Sequence, residues 1–116
     1  MNKSQLGKQS RVKGHTFERE LVKILREVGF DCSTSRYSSR ELDDKCIDIV
    51  INAPLAIQCK ATNNNFPNPV KELDKIQTDN DHKVLAVKLK NRGVYITMEL
   101  KGWIDLLKIL KSNKLI

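Results

Sequence analysis

No apolar run in this chain approaches the ~20 residues needed to cross a bilayer, and its first residues, Met1-Asn2-Lys3-Ser4-Gln5, lack the apolar stretch of a signal peptide. Those two absences argue against a membrane protein or a secreted one and lead us to expect a soluble, cytoplasmic protein. Paired cysteines are missing too. Cys32, Cys46 and Cys59 are odd in number and widely spaced, with no C-x-x-C, which argues against a zinc site or a disulfide framework. They read as small residues in or beside strands of a reduced protein. No internal repeat is present. Residues 1–13 contain no acid. They carry Lys3, Lys8, Arg11 and Lys13, with little apolar surface beyond Leu6 and Val12, and read as a flexible basic arm ahead of one domain over 14–116.

What is present suits a compact domain that meets a polyanion. The 116 residues are enough for a single core, and 40% hydrophobic content is too high for a disordered chain. Lys and Arg number 21 against 14 Asp and Glu, a net charge of +7. With no membrane segment, nucleic acid is the expected partner.

The spacing predicts α-β-β-β-α-β-β-α. A helix opens at Gly14-His15-Thr16, with Thr16 as N-cap, buries Phe17, Leu21, Ile24, Leu25 and Val28, and ends at Gly29. Strands follow over 30–34, 46–51 and 55–60, with 35–40 as a polar loop and Asn52-Ala53-Pro54 as a turn. Val70 to about Asp79 reads as a helix with Val70, Leu73 and Ile76 or Gln77 inward. Strands over 83–89 and 94–98 flank the Asn91-Arg92-Gly93 turn, and a helix bearing Trp103, Leu106, Leu107 and Leu110 closes the chain with Trp103 in the core. The fold class is α/β, a mixed sheet with helices packed on it in one layer or two.

Chemistry concentrates in Ile47-Asp48-Ile49-Val50 and Ile57-Gln58-Cys59-Lys60. Side chains repeat every two residues along a strand, so Gln58 and Lys60 share a side. A hairpin brings the Asp48 carboxylate to the same sheet edge. Strand interiors disfavour Asp, and an unpaired buried carboxylate is costly, so Asp48 needs either a cation or Lys60 as a salt-bridge partner. Among the carboxylates of the first helix, Glu18 shares a face with Val22 and Leu25 at about 100° per residue, whereas Glu20 and Glu27 point toward water. Mg²⁺ (or Mn²⁺) on Asp48, Gln58 and the Cys59 carbonyl, with Glu18 direct or through water, suits phosphodiester hydrolysis, and Lys60 is placed to orient water or steady phosphate charge. The bland readings are Glu18 as a surface acid, an Asp48–Lys60 salt bridge without chemistry, His15 as a residue that merely precedes a helix, and His82 in a loop.

These residues resemble the PD-(D/E)xK nuclease superfamily, and within it the archaeal-type Holliday junction resolvases, including versions carried by phages. Lys13-Gly14-His15-Thr16-Phe17-Glu18-Arg19-Glu20-Leu21-Val22 is similar to the family's K-G-x-x-x-E-R-E-L opening. Gly29-Phe30 before Ser33-Thr34-Ser35-Arg36, the acid-bearing Asp48-Ile49-Val50, Ile57-Gln58-Cys59-Lys60 in place of E-x-K, and Val84–Leu89 before a hairpin extend the likeness from Lys13 to Met98. The resemblance implies a restriction-endonuclease-like fold. It gives catalytic roles to Glu18, Asp48, Gln58 and Lys60, places Ser35 and Arg36 in a loop that contacts the scissile strand, and implies a homodimer whose two sites make paired cuts in a four-way junction. Lys3, Lys8, Arg11 and Lys13, with Arg36 and Arg40, would hold phosphates. Gln58 departs from the family's Glu. Gln-x-Lys is familiar in Mrr-like restriction endonucleases of the same superfamily, which usually carry a separate recognition domain for which this length leaves no room. A small Mrr-like or host-defence nuclease acting on duplex DNA, and an inactive protein that binds branched DNA, are the alternative expectations.

Overall fold

The computed structural model describes residues 3–116. Met1, Asn2 and the side chains of Lys3, Ser4, Leu6 and Ser10 lie outside the described residues, and with them the start of the expected arm and the phosphate contact expected of Lys3. Helix α1 spans Lys3–Val28. It therefore starts well before Gly14, and residues 3–13 form its first turns. Nothing in that stretch breaks a helix: it holds one glycine, no proline, and several good helix formers. Thr16 is not an N-cap but a mid-helix residue whose hydroxyl donates to the Val12 carbonyl at 2.8 Å. The far end falls where the sequence predicts. Gly29 takes φ +113°, its N–H donates to Arg26 O, and the Phe30 N–H donates to Leu25 O, each at 3.0 Å. That pair of bonds is a Schellman cap.

Five strands form one mixed sheet in chain order: β1 (Cys32–Thr34), β2 (Ile49–Ile51), β3 (Leu55–Thr62), β4 (His82–Leu89) and β5 (Gly93–Met98). β3 and β4 are parallel, with Leu55 opposite His82 and Thr62 opposite Leu89; the other pairings are antiparallel. The parallel pair requires a crossover, supplied by α4 (Pro69–Lys75). Asn68 caps α4 by accepting from Val70 N and Lys71 N, with Pro69 in the first turn. α4 stops at Lys75 rather than near Asp79, because Ile76 turns extended (ψ 123°) to bury itself at 1% exposure. The loop expected over 35–40 is largely helical: α2 (Ser35–Ser38) and α3 (Arg40–Asp44), the latter capped by Ser39, whose hydroxyl accepts from Leu42 N.

The sheet separates two cores. Phe17, Leu21 and Val22 of α1 cover Ile49, Ile57, Cys59, Val84 and Ala86 on one face. Leu73 and Ile76 cover Ala56, Leu85 and Val87 on the other, joined by Ile47. Four residues expected to be buried are exposed. Ile24 is exposed because the buried arc of α1 centres nearer Leu21, Leu25 and Val22, a rotation that draws in Glu18 and turns out Ile24; Val28, the last residue of α1, is exposed although it lies in line with Leu21. Val70 is also exposed. Trp103 is 51% exposed. Its helix, α5 (Leu100–Ser112), approaches the sheet through Gly102, where an added Cβ would sit 2.9 Å from Met98 Cε, so the next residue faces outward.

Candidate active site

The site begins with a fault in the sheet. Ile49 is in register with Ile57, yet the Asp48 N–H also donates to Ile57 O at 2.8 Å, so two residues of one chain segment meet one residue of β3. That is the pattern of a β-bulge, a device that re-aims side chains and ends pairing. Asp48 therefore precedes β2 rather than lying inside the longer strand expected over 46–51. The preceding backbone is drawn away: Cys46 takes φ +60°, and Ile47 N donates to Leu42 O of α3 instead of to β3. On the other side the ladder with β1 effectively continues, since Ser35 N donates to Asp48 O at 2.8 Å. The Asp48 carboxylate fills the resulting break. Its Oδ2 accepts the Cys59 N–H at 2.7 Å. A strand residue turns its N–H and C=O to the same edge, so the Cys59 carbonyl also faces this opening.

Around the opening lies a groove lined by Glu18, Asp48, Gln58, Cys59 and Lys60, with Arg11, His15 and Asp43 at its margin. The structure thus brings together all four residues expected to be catalytic. Gln58 is 4% exposed; its Nε2 donates to Glu72 Oε2 at 3.4 Å, and its Oε1 is buried without a hydrogen-bond partner. Lys60 pairs with Glu72 of α4 at 3.5 Å, so the salt bridge expected as the bland reading for Asp48 goes elsewhere. Lys75 holds the other oxygen of Glu72 at 3.1 Å.

Glu18 enters from α1, with Arg36 Nη2 at 3.7 Å from its Oε2. Burial and then the facing Asp48 carboxylate push its pKa up to about 7, against a smaller opposing pull from Arg36. Asp48 is also raised, chiefly by burial, with the Cys59 N–H acting against the shift. Burial, followed by Arg36, Arg19 and Arg11, lowers the pKa of His15, which favours the neutral ring. Two carboxylates that resist ionising together are a site that a cation would relieve.

The expected phosphate contacts divide. Arg11 lines the groove and is exposed; Lys8 is exposed on α1. Lys13 donates to Asn63 Oδ1. Arg36 lies against Glu18 and over the Tyr37 ring, with Nε and Nη2 buried and lacking hydrogen-bond partners. Ser35 is fully buried, its hydroxyl without a partner. Arg40 is almost fully solvated, 4.0 Å from Asp44.

Among the described residues no three His, Cys, Asp or Glu side chains are grouped to hold a metal. The donors here are of mixed kind: two carboxylates, one amide oxygen and one backbone carbonyl. All are hard oxygen donors, and the orphaned Gln58 Oε1 is the one that most needs a partner. The set fits Mg²⁺ or Mn²⁺. Sequence reasoning missed Glu72 and Asp43. Glu72 reaches the back of the site only through the packing of α4, for which sequence carries no local signal; Asp43 belongs to α3, whose Ser39 cap is concealed by the polar composition of 35–40.

A family model described as restriction endonuclease (Mrr_cat) matches residues 9–99, most of the chain. No curated protein matches, and no solved structure matches.

Proposed function

The chain belongs to the Mrr_cat restriction endonuclease family, a PD-(D/E)xK-type nuclease family, and from that premise we propose that its groove hydrolyses DNA phosphodiesters with Mg²⁺ or Mn²⁺. The fold is restriction-endonuclease-like. The observation that carries the reading is the convergence of Glu18, Asp48, Gln58 and Lys60 on one groove. Asp48 and Glu18 supply the negative charge of the ion site, and Gln58 Oε1 and the Cys59 carbonyl supply neutral oxygens. These groups would hold a divalent ion, which would supply a bound water of lowered pKa and polarisation of the phosphate. Lys60 steadies charge that grows on the phosphate as the bond breaks. Arg11 and Lys8 hold the flanking backbone.

The substrate we propose is a four-way junction, cut twice by a homodimer. Support comes from the likeness of Lys13–Val22 to the junction-resolvase opening and from the apolar edge of the molecule. β5 is the last strand, with its first four residues exposed, and Leu100, Trp103 and Ile104 of α5 are also exposed. A second reading, a nuclease acting on linear duplex, is favoured by the Mrr_cat match and by Gln at position 58. One assay separates them. The protein is incubated with Mn²⁺ and either a synthetic junction or linear duplex of matched sequence. Symmetric paired nicks confined to the junction support the first reading; equal cutting of both substrates supports the second. Asp48→Asn, which keeps an acceptor for the Cys59 N–H, should bind DNA and cut neither.

A further inference from the structure

We propose that Glu72 of α4 is a positioning residue for the groove, matched to Gln58: a carboxylate on the helix for an amide on the strand. The inference rests on the reading of the groove as a cation-dependent nuclease site. An amide side chain has one donor end and one acceptor end, and a carboxylate only accepts. With Glu72 Oε2 at 3.4 Å, only the NH₂ end of Gln58 can face α4, so Oε1 is turned away and lies buried without a partner. Gln58 lines the groove and Glu72 does not, which puts Glu72 behind the ligand rather than among the ligands. The same Oε2 is 3.5 Å from Lys60 Nζ. One oxygen thus touches both polar members of Gln58-Cys59-Lys60 and fixes the orientation of each. Lys75 steadies that carboxylate from its own helix at 3.1 Å.

The pairing also accounts for an amide at position 58. A glutamate there would set a second carboxylate about 3.4 Å from the first. Like charges at that separation oppose each other, so a Glu at 58 can serve a cation only if residue 72 gives up its charge. A carboxylate introduced at 58 alone therefore gains nothing for the ion, although a negative ligand would otherwise tighten it.

Calorimetric titration of the full chain with Mn²⁺ tests this at one pH. Glu72→Ala should weaken Mn²⁺ binding about tenfold, the usual loss when an outer support of a ligand is removed. Gln58→Glu alone should bind no tighter than wild type. Gln58→Glu combined with Glu72→Gln should bind at least about tenfold tighter than Gln58→Glu alone. Unchanged affinity in Glu72→Ala, or equal affinity in Gln58→Glu with and without the second change, overturns the pairing. If circular dichroism shows Glu72→Ala unfolded, the Gln58→Glu comparison decides. Wild type that binds no Mn²⁺, or Asp48→Asn that binds like wild type, removes the nuclease reading itself. Binding that needs Asp48 but ignores Glu72 removes only this inference.

Discussion

Two regions of this molecule break the rule that apolar groups are buried and polar groups exposed, and they break it in opposite directions. At the β2–β3 opening, Gln58 is buried with an unpaired oxygen and two carboxylates face each other. At the β5–α5 edge, Ile96 and Trp103 are more than half exposed. Buried unsatisfied polar atoms cost free energy, and exposed apolar side chains mark surfaces suited to contact. The first region offers oxygen donors suited to a cation, and the second offers apolar surface suited to a partner. The contrast separates the proposed chemistry from the proposed dimer: the groove should govern cutting, the edge any self-association, and neither should depend on the other for folding.

The largest expected effect is on cutting. Asp48→Asn should reduce cleavage by about a thousandfold or more, because it removes charge from the ion site while preserving the bond to Cys59. Asp48→Ala should add a loss of about 1–3 kcal/mol in urea unfolding, since it strands the Cys59 N–H. At the β5–α5 edge, Ile96→Lys with Trp103→Glu should weaken the proposed dimer by about thirtyfold or more, measured by sedimentation. Their own unfolding free energy should move by about 0.5 kcal/mol or less each, as for exposed positions. If these changes also unfold the monomer, the edge is core and the comparison breaks.

Acidity sharpens the contrast further. The folded-state pKa of Glu18, about 7, lies above its unfolded value of 4.5. The folded chain therefore holds the proton more tightly, and stability without metal should fall as pH rises from about 4.5 to about 7. Glu18→Gln should melt above wild type at pH 8, with the difference vanishing near pH 4.5. Mn²⁺ must displace that proton, so its affinity should rise with pH by up to about tenfold per unit below 7 and level off above it. No such dependence should come from the β5–α5 edge. The smallest expected effect is at Arg40. Arg40→Ala should leave unfolding unchanged and, if Arg40 touches phosphate, lower the salt slope of DNA binding by about one unit.

The groove was legible in the sequence to the extent that spacing decides it. A two-residue interval puts Gln58 and Lys60 on one side, and the helical angle separates Glu18 from Glu20, which lies outside the groove and bonds to Lys88. Gly29 marked the end of α1 for a local reason, its freedom to adopt positive φ. The misses share a different cause. The bulge at Asp48 depends on α3 pulling Ile47 away, and Glu72 arrives through the crossover helix, so both are products of tertiary packing. Trp103 shows the limit of periodicity. A stripe over 103, 106, 107 and 110 announces an apolar face without saying what covers it, and here Gly102 takes the contact with the sheet. The helical start of α1 was hidden because an acid-free, lysine-rich stretch has the composition of an arm and the propensity of a helix.

A cation shared by Glu18, Asp48 and Gln58 is the proposed centre of the groove's chemistry. Titration of wild type and Asp48→Asn with Mn²⁺ at pH 8 tests it most directly. Saturable binding by wild type that disappears in Asp48→Asn is the predicted result; equal binding by both, or none by either, contradicts it.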